Sequence, residues 1–95
     1  PYLTIRDQVA AQVALADALG IERFVAVIGG SMGGMHALEW AIEHPHRVER
    51  LAVLASTAVS SADQIALNSV QLEAIRMDPL FLAGDYRYEP EGPYR

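Results

Sequence analysis

The stretch FVAVIGGSMGGMHALEW, Phe24 to Trp40, decides the fold of this chain. Its first five residues, Phe24–Ile28, are all apolar, which is typical of a strand covered on both faces in a parallel sheet. From Gly33 to Glu43 the apolar residues recur at helical spacing, which predicts a helix. Between the two, Gly29 to Gly33 spell G-x-S-x-G. The stretch therefore predicts a strand, a sharp turn and a helix.

The flanking residues extend this unit in both directions. Upstream, the apolar spacing predicts a helix over Ile5–Leu19, with Thr4 as its cap and Gly20 as its left-handed stop. Downstream, Pro45 ends the second helix, and Leu51–Ala55 form another continuous apolar run. Strand, helix and strand in this order predict a parallel βαβ unit, so the fold class is α/β, a parallel sheet flanked by helices.

The composition changes after the second predicted strand. Ser60 or Ser61 can cap a helix expected over Ala62–Met77, and the tail Pro79–Arg95 has no periodicity, which predicts a loop. Residues 1–60 are therefore assigned to the central part of a core domain, and the rest to a helix and loop that follow it. We expect a piece of a longer protein, with the N- and C-terminal parts of the domain missing.

Composition limits the classes of partner. A net charge of −5 and a pI near 5.0 argue against nucleic acids and anionic membranes, which would repel this surface. The absence of cysteine excludes disulfides and cysteine-ligated metal sites within the stretch, and no metal site is predicted. No apolar run approaches the ~20 residues of a membrane-spanning helix. A cytoplasmic location is expected.

The turn carries the candidate chemistry at Ser31. A serine hydroxyl is a poor nucleophile until it is activated and exposed, and a sharp turn lifts it above the carboxyl edge of the sheet. Gly29 and Gly33 are expected where side chains would collide, and Gly34 lets the helix lie close to the sheet. The Met32 N–H, at the helix N-terminus, is placed to hold an oxyanion. The elbow glycines are Gly29, Gly30, Gly33 and Gly34.

Phosphate-binding loops fit this turn less well than a nucleophile does. The pattern G-x-G-x-x-G fails because Ser31 occupies its second glycine, and the P-loop pattern fails because Met35 stands where lysine is required. A base for the serine is not visible nearby. His36 lies about 140° around the helix from Ser31, and His44 and His46 lie at the far helix end, as cap and solvent residues.

The remaining members of a catalytic triad are expected outside the stretch. Asp63 falls in the first turn of a predicted helix, where capping is its favoured role, and Asp85 in the loop is uncommitted. Since α/β-hydrolases order their triad as serine, acid and then histidine, the acid and histidine should follow Arg95. The stretch alone should be inactive.

Beyond the elbow, the segment GGSMGGMHALEWA, Gly29–Ala41, resembles the homoserine O-acetyltransferase family of α/β-hydrolase-fold enzymes. Four more segments resemble the same family in the same order: TIRDQVAAQ (Thr4–Gln12), LGIERFVAVIGG (Leu19–Gly30), HPHRVERLAVLAS (His44–Ser56) and SADQIALN (Ser61–Asn68). His36 stands where relatives often have glutamine. The resemblance implies that this chain is a fragment of an α/β-hydrolase fold.

The resemblance also implies a reaction. Ser31 would take an acetyl group from acetyl-CoA, a substrate rather than a bound cofactor, and pass it to the hydroxyl of L-homoserine in methionine biosynthesis. The helix after Ser61 would begin a lid through which relatives commonly form homodimers. Two alternatives stay open: a serine esterase or hydrolase with the same elbow, and a non-catalytic α/β binding protein. Acetyl versus succinyl donor and the identity of the acceptor alcohol also stay open.

Overall fold

The computed structural model describes residues 2–79 and 81. Its elements are α1 (Ile5–Ala18), β1 (Val27–Gly30), α2 (Met32–Glu43), a 3₁₀ turn (Pro45–Arg47), β2 (Leu51–Leu54) and α3 (Ala62–Arg76). Each helix lies within one residue of its predicted bounds at both ends. The chain divides into two compact units, Pro1–Val59 and Ser60–Arg95. None of the described helices is both long enough and apolar enough to span a bilayer.

The two strands are parallel neighbours, as predicted. Their Cα partners are Val27 with Leu51, Ile28 with Ala52, Gly29 with Val53 and Gly30 with Leu54. Upstream of this ladder, Phe24 forms an isolated parallel bridge with Val48. The first strand is therefore shifted toward the turn relative to the prediction, because the backbones of Gly29 and Gly30 pair with β2 although glycine, which has no side chain, gives no strand signal. β2 ends one residue early because Ala55 has φ +46°.

The core of the first unit lies between α1, α2 and one face of the strands. α2 packs on both strands and α1 packs on α2. The buried residues Val9, Ala16 and Trp40 form the centre of the core, with Val27 of β1 packed against it. Ile28, which alternates with Val27, is 67% exposed. Within the first unit, α1 and α2 cover the face of the strands that carries Val27.

The predicted ends of α1 are confirmed in detail. The Thr4 hydroxyl accepts a hydrogen bond from the Asp7 N–H at 3.2 Å, and the Asp7 carboxylate accepts one from the Thr4 N–H at 2.8 Å, which completes a capping box. At the other end Gly20 has φ +71°, and the Ile21 N–H donates to the Ala16 carbonyl at 2.9 Å. This bond pattern is a Schellman motif.

The second unit contains α3. Of the two candidate caps, Ser61 is the one used, in a capping box with Gln64. Asp63 lies in the first turn, as predicted. The expected loop Pro79–Arg95, including Asp85, lies outside the described residues apart from Pro79 and Phe81.

Arg47 joins the 3₁₀ turn to the loop between α1 and β1, a role that the sequence did not suggest. It is 9% exposed, and its guanidinium lies 5.6 Å from the centre of the Trp40 ring. Its nitrogens donate to the Ile21 carbonyl at 2.5 Å, the Glu22 carbonyl at 3.1 Å and the Asp17 carboxylate at 2.7 Å. The guanidinium therefore ties the 3₁₀ turn to the last turn of α1 and to the loop that follows it.

Candidate active site

Ser31 forms the entire link between β1 and α2. Its backbone angles are φ 54° and ψ −123°, in a region that residues with a side chain rarely adopt. The turn is tied on both sides: the Ser31 N–H donates to the Leu54 carbonyl at 3.0 Å, and the Ser31 carbonyl accepts from the Gly34 N–H at 2.9 Å. The predicted sharp strand-to-helix turn is therefore present, and the neighbouring elements hold its strain in place.

The glycines of the turn have different roles. A Cβ at Gly29 would overlap with the Gly33 carbonyl and lie 2.7 Å from the Gly34 nitrogen, so the first turn of α2 can cross β1 only over a glycine. A Cβ at Gly34 would overlap with the Cβ of Ser56. At Gly30 the nearest atom would be 3.9 Å away, an ordinary contact.

The expected collision at Gly33 is not found. A Cβ built there meets no described atom within 4 Å. The reason is geometric: the carbonyl of Gly33, rather than its Cα, faces β1, so the close approach needs a glycine at Gly29 and leaves open space at Gly33. The two glycines of G-x-S-x-G are thus not equivalent in the described chain.

The N-terminus of α2 gives the site its electrostatic character. Ser31 is the N-cap residue, but its hydroxyl makes no capping hydrogen bond, and the first turn contains no acidic residue. The Met32 N–H at the first helical position has no intrahelical acceptor, as in any α-helix. Partial positive charge therefore remains uncompensated beside an exposed serine hydroxyl. Such an end of a helix can stabilise an anion that develops on a bound acyl group.

The histidines are engaged elsewhere, as the helix geometry predicted. His36 faces α1, and its Nε2 lies 2.9 Å from Oε1 of Gln8. His44 is the C-cap of α2, and its ring lies 5.5 Å from that of Trp40. His46 is exposed beside it. Among the described residues, no hydrogen bond joins a histidine ring to Ser31, so the described part of the chain supplies the serine without its base.

Two residues near the turn were missed by sequence reasoning. Ala55 follows β2 directly and has a positive φ, and the Oγ of Ser56 is buried with no hydrogen-bond partner among the described residues. The sequence contains only a weak signal for these two residues. Both follow the strand that pairs with β1, so they lie at the same sheet edge as Ser31. A small residue at that register is not by itself distinctive.

The fold and the turn define a class of protein. The profile of the alpha/beta hydrolase fold matches residues 2–91, and the chain belongs to this family. Within the family, the resemblance read from the sequence is confirmed. The chain is 64% identical over 97 residues to a homoserine O-acetyltransferase of Clavibacter michiganensis subsp. michiganensis, a match that covers 100% of this chain and 25% of that protein.

Two other similar proteins differ in their stated activity. A homoserine O-succinyltransferase of Saccharophagus degradans is 47% identical, over 100% of this chain and 25% of its own length. The crystal structure of the acetyl esterase MekB superposes with a TM-score of 0.83 at 41% identity, over 92% of this chain and 26% of the esterase. This chain thus spans about a quarter of the length of the proteins that it matches.

Proposed function

We propose that a full-length protein carrying this stretch is a homoserine O-acyltransferase with Ser31 as its nucleophile. The observation that carries the proposal is the strained, exposed Ser31 at the bare N-terminus of α2, in a chain 64% identical to a curated homoserine O-acetyltransferase. The proposed donor is acetyl-CoA and the proposed acceptor is the side-chain hydroxyl of L-homoserine. The reaction would then belong to methionine biosynthesis.

The proposed chemistry has two steps. The Ser31 oxygen attacks the thioester carbonyl of acetyl-CoA and loses its proton to a base outside the described residues. The C–S bond breaks, and CoA leaves as its thiol. In the second step the homoserine hydroxyl attacks the acetyl-serine ester and gives its proton to the base. The bond between the acyl carbon and the Ser31 oxygen then breaks, the product ester leaves, and the Ser31 oxygen takes the proton from the base. In both steps the negative charge on the carbonyl oxygen is stabilised by the Met32 N–H.

Acetyl is preferred to succinyl as the proposed acyl group because of the relatives' names. The acetyltransferase of Clavibacter michiganensis is 64% identical to this chain, whereas the succinyltransferase of Saccharophagus degradans is 47% identical. The elbow itself does not favour either, because both donors pass through an acyl-serine with the same attacking atom.

An esterase is the second candidate. It is supported by the match to the acetyl esterase MekB, which extends over 92% of this chain. An esterase and a transferase share the acyl-serine and differ only in whether water or an alcohol accepts the acyl group. Distinguishing an esterase from a transferase therefore requires a measurement that shows whether the acyl group passes to water or to homoserine.

The test is acceptor-dependent release of CoA. Full-length protein is mixed with acetyl-CoA, with and without L-homoserine, and the free thiol is followed. We expect release to continue past one equivalent only with homoserine, and to vanish in Ser31→Ala. Ser60→Ala, a serine removal outside the site, is the matched control. Release independent of homoserine would favour the esterase, and no acetyl on Ser31 would favour a non-catalytic binding protein.

A homodimer through the lid is part of the same proposal. It is supported by α3, whose residues Ile65, Leu72 and Ile75 are apolar and exposed within the described part of their unit. Sedimentation of the full-length protein at several concentrations tests it. A monomer at all concentrations would contradict this part of the proposal and leave the acyl transfer unaffected.

A further inference from the structure

Two positive-φ residues with side chains stand side by side at one edge of the sheet. Among the described residues, only Ser31 and Ala55 combine a side chain with a positive φ, at 54° and 46°. Gly30 and Leu54 are Cα partners in the ladder, so Ser31 and Ala55 are the next residues on each strand. The Ser31 N–H donates to the Leu54 carbonyl, which links the two turns directly. Both strands therefore end in strained turns at the same level.

The turn after β2 reaches the first turn of α2. A Cβ at Gly34 would overlap with the Cβ of Ser56, and would lie 2.7 Å from its Oγ and 3.2 Å from Cγ1 of Val53. Gly34 in turn donates its N–H to the Ser31 carbonyl at 2.9 Å. Ser56 thus lies against Gly34, and Gly34 is hydrogen-bonded to the backbone of Ser31, the candidate nucleophile.

The turn after β2 contains two features that are unfavourable for stability. The Ser56 Oγ is buried with no hydrogen-bond partner among the described residues, which is unfavourable for a hydroxyl. A left-handed alanine is unfavourable as well. Two unfavourable features in consecutive residues, beside a third at Ser31, indicate that the geometry of this turn serves the site rather than stability.

We propose that Ser56 is a positioning residue for the acyl-transfer site. Its Cβ packs against Gly34 and fixes the distance of the first turn of α2 from β2. On the other side, Gly29 fixes the same turn against β1. The Met32 N–H belongs to that turn, so the contact between Ser56 and Gly34 sets where the oxyanion donor lies relative to the Ser31 hydroxyl. The inference rests on the proposed function of Ser31.

The test is a double-mutant cycle on the acylation of Ser31 by p-nitrophenyl acetate in the full-length protein. This probe needs the nucleophile and the oxyanion hole, but neither CoA nor homoserine. Gly34→Ala drives a methyl group into Ser56 and should lower the maximal acylation rate constant by about 10- to 100-fold, since small displacements at a reacting centre cost that much. The ester concentration at half-maximal rate should stay unchanged.

Ser56→Gly removes the atoms that the new methyl group meets. The double variant should therefore acylate about tenfold faster than Gly34→Ala alone, a coupling within the range for contacting residues. Ser56→Ala, which keeps the Cβ, should lose less than Ser56→Gly. Urea midpoints and far-UV circular dichroism of every variant separate displaced donors from lost folded protein. A rate loss equal to the loss of folded protein would overturn the inference.

A double variant no faster than Gly34→Ala, or a Gly34→Ala rate equal to wild type, overturns the inference. If Gly34→Ala does not fold, a slower rate in Ser56→Gly than in Ser56→Ala supports it, and equal rates overturn it. Failure of the proposed role of Ser31 as nucleophile is recognised separately: peptide mass analysis of the wild type would then find no acetyl group on Ser31.

Discussion

Replacing Arg47 by methionine should destabilise the core unit more than any exposed charge change can. Methionine is shorter than arginine but keeps an unbranched apolar stem out to the position of Nε, so the change removes mainly the guanidinium. Arg47 is 9% exposed, and its guanidinium donates to the carbonyls of Ile21 and Glu22 and lies 5.6 Å from the centre of the Trp40 ring. In the variant both carbonyls must find water in the space that the guanidinium occupied.

The expected loss of unfolding free energy follows from the groups that the Arg47 guanidinium contacts. The hydrogen bonds from a charged donor to the two carbonyls contribute about 1–2 kcal/mol each, with the Glu22 bond at the lower end because that residue is exposed. The cation–π contact adds about 0.5–1 kcal/mol. The Asp17 side chain is 62% exposed, so its ion pair with Arg47 is screened and contributes at most about 1 kcal/mol. We expect Arg47→Met to cost about 3 kcal/mol in total.

Urea unfolding of the full-length protein measures this cost. Asp17→Asn is the matched control, because it removes the charge of the ion pair and leaves both carbonyl hydrogen bonds in place. Its expected cost is below about 1 kcal/mol. Arg47→Lys should resemble Arg47→Met, because an ammonium cannot reach three acceptors in a fork. A cost of Arg47→Met below about 1 kcal/mol, or equal to that of Asp17→Asn, would refute the reasoning.

Three further predictions concern the turns and the first cap. Gly29→Ala should lower the free energy of unfolding, measured with urea, by about 3 kcal/mol, because the added Cβ overlaps the Gly33 carbonyl. Gly33→Ala should change it by less than about 1 kcal/mol, because a Cβ there meets no described atom. Equal costs for the two variants would contradict the geometry. Ala55→Gly should be nearly neutral, since relief of the left-handed conformation offsets the added freedom of the unfolded chain, while Ala55→Val should cost about 2 kcal/mol in thermal or urea unfolding. The Thr4 N–H, and then its hydroxyl, hold the pKa of Asp7 below its ordinary value of 3.8. The cap therefore stabilises α1 above that value and loses this effect as pH falls through the folded-state pKa; a urea-midpoint difference between wild type and Asp7→Asn that persists at pH 2 would contradict this.

The helices and the turn were predictable because their signals are local. Thr4 with Asp7, and Ser61 with Gln64, place caps that depend only on neighbours three residues away. The glycines around Ser31 constrain the backbone directly, so the strand-to-helix turn followed from five residues. A resemblance that extended over most of the chain added the family.

The contacts that could not be predicted connect residues far apart in the sequence. In the sequence, Arg47 is a charged residue of the kind expected at the surface. Its burial depends on carbonyls about 25 positions earlier, which face it only after α1 and β1 have packed. Likewise the space at Gly33 and the crowding at Gly34 depend on which side of α2 faces the strands. A motif indicates that glycines are needed at a turn, but not which of them carries the close approach.

These contacts divide α2 into two halves with opposite energetics. Its first turn carries Gly33 and Gly34 and directly follows the strained Ser31. Farther along, the helix buries Ala37 and Trp40, and the Trp40 Nε1–H donates to Gln12 of α1 at 2.8 Å. A helix transmits position along its axis as a rigid element, so packing at Trp40 can hold the glycine-rich end where strain alone would displace it. The stability supplied by Arg47 and Trp40 at one end of α2 thus offsets the cost of presenting Ser31 at the other.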